Sequence, residues 1–332
     1  MVAPQRREPA PAAPAALASP VARATQRSSL VYPLLARAVF AFFDLVFGLV
    51  VSPLEAGERF FPADAAPSRD ASSRTADARP TLSFGGCGML YPYQLGVAEY
   101  VAEEFDVSCL RCAGHSAGFA AATTLAAAVP VATHAAVLAA ARARWAARRA
   151  GFVADSTSAW MAPYLTGLAP HEGAVLAAAA DGRLCLGHTR VAFAFGWGKP
   201  LLRGGHCVTS RFESLKAFVY TITVSQRCPP FYMNPGWLHG SWGFDGAFSS
   251  QFTLPPNCDA SKLITVSPTN PLADVSPTSP FPPLWFASLP DAARWSTLMA
   301  AGRADAAAAR GALLAKGLRP RARRGGAGSL AA

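Results

Sequence analysis

The run Cys112-Ala113-Gly114-His115-Ser116-Ala117-Gly118 constrains this chain more than any other segment. It is a G-x-S-x-G element, with an apolar stretch at 107–113 before it and an Ala-rich run at 119–129 after it. A strand, a sharp turn and a helix fit that layout, and such a turn lifts a serine hydroxyl out of the backbone at the end of the strand. Gly114 and Gly118 flank the serine because side chains there would collide with the neighbouring strand and helix. The amides that open the helix favour negative charge nearby. Ser116 is therefore a candidate nucleophile.

Two further segments bear on that reading. Thr81-Leu82-Ser83-Phe84-Gly85-Gly86-Cys87-Gly88-Met89 is a short apolar strand running into a glycine-rich loop, and 91–105 has helical spacing after it. Backbone N–H groups in such a loop can converge on one anion. No Gly-Lys-Ser/Thr follows, as a P-loop would require, and no G-x-G-x-x-G spacing marks a dinucleotide site. An oxyanion hole for acyl transfer fits better, because the loop lies about one strand-helix-strand unit before Ser116. A plain tight turn is the bland alternative. The second segment is Trp242-Gly243-Phe244-Asp245-Gly246-Ala247. Alone it reads as an Asp-Gly turn. Beside the other two it makes Asp245 a candidate base.

Glycine-rich loop, G-x-S-x-G and D-G-A, in that order, resembles the pattern of the patatin-like phospholipases. The details are most similar to the animal-type branch that includes adipose triglyceride lipase. Ser83 through Leu90, Ile264-Thr265-Val266-Ser267-Pro268 and Pro229-Pro230-Phe231-Tyr232 carry that likeness. The resemblance covers about 81–318. It implies a three-layer α/β fold, with a central mostly parallel sheet flanked by helices. It also implies a lipid acyl hydrolase that cleaves acylglycerol or phospholipid esters. By resemblance, Ser116 is the nucleophile, Asp245 its base, and the N–H groups of Gly86, Cys87 and Gly88 the oxyanion hole. Gly85, Gly114, Gly118 and Gly246 are the remaining motif glycines. No cofactor and no metal is implied. The chain departs from plant-type members at Leu90 and Tyr91, where those carry Arg and Gly. It has His115 before the serine and Ala247 where a second glycine follows the Asp-Gly.

A serine hydroxyl is a poor nucleophile until a base takes its proton, and in most hydrolases that base is a histidine. Histidines stand at 115, 134, 171, 188, 206 and 239. The α/β-hydrolase order of Ser, acid, His leaves a triad of Ser116, Asp181 and His239 formally open. In the dyad reading, burial must raise Asp245 above its ordinary value near ~3.9 for it to work as a base. Trp242, Phe244, Phe248 and Phe252 are expected to supply that apolar setting. Each well-placed oxyanion donor is worth about 3 kcal/mol.

The chain has 332 residues, 52% of them hydrophobic, and a formal charge of +10. Residues 1–40 carry five Arg against one Glu, and 303–332 carry seven Lys/Arg against one Asp, leaving eighteen of each sign between them. Basic ends on a neutral body fit an anionic lipid surface or an import signal, and no nucleic-acid motif accompanies them. Solvated, disordered tails are the alternative. Seven cysteines at 87, 109, 112, 185, 207, 228 and 258 have no zinc spacing and read as mostly buried thiols in a reducing compartment. Cys87 is expected to donate its backbone amide with the thiol packed.

Five regions follow. Residues 1–29 are acid-poor and rich in Ala, Pro, Arg and Ser, as a disordered or targeting segment is. Residues 30–52 form a hydrophobic membrane-associating helix; 30–51 hold fourteen Leu, Val or Phe, interrupted by Arg37 and Asp44. Lying in the interface comes first, spanning the bilayer second and packing as a buried helix third. Residues 53–80 are a linker, 81–318 the hydrolase domain and 319–332 a basic disordered tail. Within the domain the spacing predicts strands at 81–84, 107–113, 219–224 and 262–266. It predicts helices at 91–105, 116–129, 131–150 and 212–218, and a last helical stretch at 295–318 broken at Gly302 and Gly311. Arg142, Arg144, Arg148 and Arg149 around Trp145 are either a headgroup contact or a solvated face. Residues 281–289 are either a lipid-access flap or a packed loop. The expected partners are a lipid substrate and a membrane or lipid-droplet surface, not nucleic acid. The expected location is intracellular and lipid-associated, with a plastid or other organelle as the target of the N-terminal segment. The rival functions are a non-catalytic lipid-surface protein that kept the fold and a His-dependent serine esterase.

Overall fold

The computed structural model describes residues 77–147, 156–196, 199–228, 236–238 and 241–322. Residues 1–29, 30–52, the greater part of the 53–80 linker, and 323–332 lie outside them. So do the Pro229-Pro230-Phe231-Tyr232 motif, Arg148, Arg149 and His239. Among the described residues, no helix is long and apolar enough to cross a membrane.

The chain is mixed α/β. Strands are β1 (Thr81–Phe84), β2 (Arg111–Gly114), β3 (Leu184–Gly196), β4 (Lys199–Thr209), β5 (Gly236–Leu238), β6 (Ser241–Asp245) and β7 (Leu263–Val266). Helices are α1 (Tyr91–Glu104), α2 (Phe119–Ala127), α3 (Val131–Ala147), α4 (Ser156–Leu168), α5 (Glu172–Ala180) and α6 (Leu215–Ser225). Three more, α7 (Leu284–Ala287), α8 (Ala292–Ala308) and α9 (Arg310–Ala315), follow the last strand. One sheet runs in the order β5-β6-β3-β2-β1-β7, with β4 paired to β3. Its centre, β7-β1-β2-β3, is parallel throughout, and helices flank it. β4, β5 and β6 add antiparallel pairings at one side. All four residues of β1 are buried, as expected for a strand covered on both faces. The core joins Leu82 and Phe84 to Phe119, Leu184, Phe218 and Ile264.

The pairings of β3 decide where the site forms. β4 runs along one edge of β3 from Leu186 to Gly196. The opposite edge is shared. β2 pairs first, with Gly114 opposite Leu186. Antiparallel β6 pairs next, with Asp245 opposite His188. The C-terminal ends of β2 and β6 therefore point at each other.

Several elements differ from the sequence expectation. Residues 219–224 are not a strand; they continue α6. Ser214 caps that helix by accepting the Ala217 amide at 3.2 Å. The hydroxyls of Thr221 and Thr223 return to the carbonyls of Ala217 and Tyr220 at 2.9 and 2.8 Å. Burial of Phe218, Val219 and Ile222 outweighs the β-branched preference for strand. β2 begins only at Arg111, so Cys109 lies before it and is exposed, while Cys112 is buried. α8 passes through Gly302 unbroken, because the missing side chain lets it approach the Tyr93 carbonyl of α1. The change of helix comes at Ala309. The long β3–β4 hairpin has no counterpart in the expected elements.

Candidate active site

Ser116 has φ 52°, a left-handed conformation that a residue other than glycine adopts at a cost of about 1–3 kcal/mol. It opens a 3-10 turn, Ser116–Gly118, that leads directly into α2. Two features hold it there. Its amide donates to Ser225 Oγ at 2.9 Å, and that hydroxyl donates to the Gly187 carbonyl of β3 at 2.6 Å. A side chain on Gly118 would collide with the Phe84 carbonyl, so the turn sits directly on the end of β1. A strained strand-to-helix turn of this kind holds a serine hydroxyl out from the end of a strand.

Asp245 ends β6 and is 2% exposed. Its Oδ1 accepts the Ala247 amide at 2.9 Å. Its backbone is fixed on both sides: the amide donates to the Arg227 carbonyl at 2.9 Å, and the carbonyl accepts Thr189 Oγ1 at 2.6 Å. Burial pushes the carboxyl up to about 6, opposed by the Ala247 amide and by the Ser116 hydroxyl. Trp242 and Phe244 do not supply the apolar setting expected of them. Successive strand residues face opposite sides, so Asp245 shares its face with Ser241 and Gly243. Trp242 instead meets Trp237, with ring centroids 5.1 Å apart.

The glycine loop lies against both groups. Gly85 donates its amide to the Val266 carbonyl at 3.0 Å and accepts Gln94 Nε2 at 2.8 Å. A Cβ on Gly86 would lie 3.2 Å from the Cβ of Ser116. The Cys87 thiol is fully buried, and burial, then the nearby Asp245 charge, raise it well above its ordinary value. Gly88 has φ 52°, and a Cβ there would lie 2.6 Å from the Phe286 carbonyl of α7. The Gly86 amide is already engaged: it donates to His115 Nε2 at 2.9 Å. The loop thus offers the amides of Cys87 and Gly88, rather than three donors. Neither makes a hydrogen bond among the described residues.

Of the formal triad, Asp181 follows α5 and precedes the first residues of β3, at the end of the sheet away from Ser116. His239 lies outside the described residues. Two residues of this site have no role assigned from sequence: Ser225, and His115, which reads there only as a departure before the serine. Ser225 gives no local signal, since it closes a helix that was itself misread. His115 has one: a polar ring between the glycine and serine of the turn, within reach of a loop full of amides. A cavity of about 580 Å³, lined by Arg79, Asp106, Lys262 and Arg319 among others, sits at the starts of β1 and β7 and holds none of the site residues. Among the described residues, no group of three His, Cys, Asp or Glu is placed to hold a metal ion.

Neither a scan against protein-family models nor a search of curated proteins finds a match to this chain.

The arrangement has a defined chemical capacity. A strained serine and a buried carboxyl of raised basicity converge at facing strand ends, and two amides lie on the adjoining loop, against which Phe286 packs. That set can deprotonate an alcohol and stabilise an adjacent oxyanion.

Proposed function

We propose that this chain is a serine-dependent lipid acyl hydrolase working through a Ser116–Asp245 dyad. The observation that carries the reading is the convergence of the strained Ser116 turn and the buried Asp245 carboxyl at facing strand ends, with that carboxyl pushed up to about 6 by burial. An ionised carboxylate of that basicity accepts a proton near neutral pH far better than an ordinary aspartate.

In the first half-reaction, Ser116 Oγ bonds to the ester carbonyl carbon as its proton passes to Asp245. The carbonyl π pair moves to oxygen, where the Cys87 and Gly88 amides meet it. Collapse breaks the bond to the leaving alkoxide, which takes the proton back from Asp245. Water, deprotonated in turn by Asp245, then cleaves the acyl-enzyme. A fatty acid leaves and Ser116 recovers its hydrogen. The resemblance to patatin-like phospholipases, most similar to their adipose triglyceride lipase-type branch, favours acylglycerols or phospholipids as the substrate class. Two features of α7 support a lipid surface as the partner. Phe286 packs over Gly88, and Leu284 in the same short helix is 79% exposed. The expected setting is a membrane or lipid droplet inside the cell.

The test is turnover of a short-chain ester by the purified chain, followed by lipid-class profiling on mixed liposomes and emulsions. Turnover lost in a folded Ser116→Ala variant supports the reading. A folded wild type without turnover supports the rival, a non-catalytic lipid-surface protein.

A further inference from the structure

His115 stands where four parts of the site converge. It is 1% exposed. Its Nε2 accepts the Gly86 amide of the glycine loop at 2.9 Å. Its Nδ1 lies 3.2 Å from Thr253 Oγ1, on the segment whose Thr253 carbonyl accepts Ser83 Oγ of β1 at 2.8 Å. Its backbone precedes Ser116 directly. A Cβ on Gly246 would lie 2.6 Å from the His115 Cβ, so the turn after Asp245 also rests against it.

The hydrogen bonds fix the tautomer. An amide can only donate, so Nε2 must present its lone pair. The ring proton then sits on Nδ1 and points at the Thr253 hydroxyl. An imidazole used in this way cannot take the proton of Ser116, because its accepting nitrogen is already bound to Gly86. We infer that His115 is a positioning residue: its neutral ring clamps the Gly86 amide, and so turns the next two amides, Cys87 and Gly88, toward the serine. The inference rests on the acyl-hydrolase reading for the purpose of those amides, and on geometry alone for the clamp. Neutrality follows from the surroundings. Burial, with the His206 ring 6.3 Å away, pushes His115 down to about 3, so it stays an acceptor throughout the range in which the protein would work.

The experiment compares His115→Leu with His115→Gln in the full chain. Leucine fills the space without an acceptor; the glutamine Oε1 can reach the position of Nε2. The first readout is hydrogen exchange of peptides across the glycine loop. Exchange in the loop should rise about tenfold in the leucine variant and return toward wild type with glutamine, while peptides from α8 stay unchanged. The second readout is ester turnover, in which leucine should lower kcat by about 10²-fold, the worth of one oxyanion donor. KM should change little, and glutamine should recover most of the loss. If the leucine variant does not fold, Thr253→Val gives the second route: loss of the Nδ1 partner should raise exchange in the same loop. Unchanged loop exchange and unchanged kcat in a folded leucine variant would overturn the clamp. Equal damage from leucine and glutamine would also overturn it, since only the acceptor distinguishes them. If loop exchange responds as expected but the wild type shows no Ser116-dependent turnover, the clamp stands and the hydrolase reading falls.

Discussion

Gly114 and Asp245 lie end to end along one edge of β3. Gly114 pairs with Leu186, and Asp245 pairs with His188, the next residue on the same face of that strand. Two residues of strand span about 6.6 Å. The turn after Gly114 carries Ser116 across that distance. Ser116 and Asp245 thus meet because a parallel and an antiparallel strand share one neighbour.

The turn itself depends on Ser225. Replacing it with alanine leaves the Ser116 amide and the Gly187 carbonyl without their buried partner. We expect Ser225→Ala to lose about 1–3 kcal/mol of stability, measured by denaturant unfolding. Ester turnover should fall with it, because the turn that aims Ser116 is no longer tied to α6.

Strain at Ser116 gives a stability difference that does not depend on the chemistry. Glycine adopts φ 52° without strain, whereas alanine adopts it only at a cost, as Ala128 does elsewhere in this chain. Both Ser116→Gly and Ser116→Ala should be inactive, with the glycine variant more stable than the alanine variant by about 1–2 kcal/mol. Thermal unfolding of the two variants side by side measures it.

Asp245 should set the pH behaviour in two opposed ways. Its folded value of about 6 exceeds the ordinary 3.8, so the folded chain retains a proton that the unfolded chain releases. The stability this supplies is complete below 3.8 and is lost as the pH rises through 6. Asp245→Asn keeps the acceptor for the Ala247 amide but has no proton to lose. It should exceed the wild type in stability by about 3 kcal/mol at pH 8. The gap should close as the pH falls toward 4. Activity runs the other way: kcat/KM of the wild type should fall as the pH drops through about 6 and the base becomes protonated.

The cysteines divide by burial. Cys87 and Cys112 are buried and their thiols raised, whereas Cys109 is exposed before β2. Alkylation of the native protein, read by peptide mass, should mark Cys109 first and Cys87 only on unfolding. Early modification of Cys87 would mean that the glycine loop is open.

What could be read from the sequence was what is local. The Ser116 turn, the glycine loop and the Asp-Gly turn each depend on residues adjacent in the chain, and β1, α1, α2 and β7 follow from short apolar runs with clear ends. The misread parts depend on distant contacts. Residues 219–224 have strand-forming side chains, but the cap at Ser214 and burial of Phe218 and Ile222 make them helix. Trp242 and Phe244 stand beside Asp245 in sequence yet face away from it, which only the strand register reveals. His115 is legible as unusual, but its use is set by a loop 29 residues earlier.

The central claim is that Ser116 is activated by Asp245, and labelling with a fluorophosphonate measures it most directly. The serine oxygen would bond to phosphorus as fluoride leaves. Peptide mass should place the adduct on Ser116 in the wild type, with none in Ser116→Ala and labelling slowed by about 10²-fold or more in Asp245→Asn. A folded wild type that resists the reagent, or one labelled just as fast after Asp245→Asn, would contradict the account.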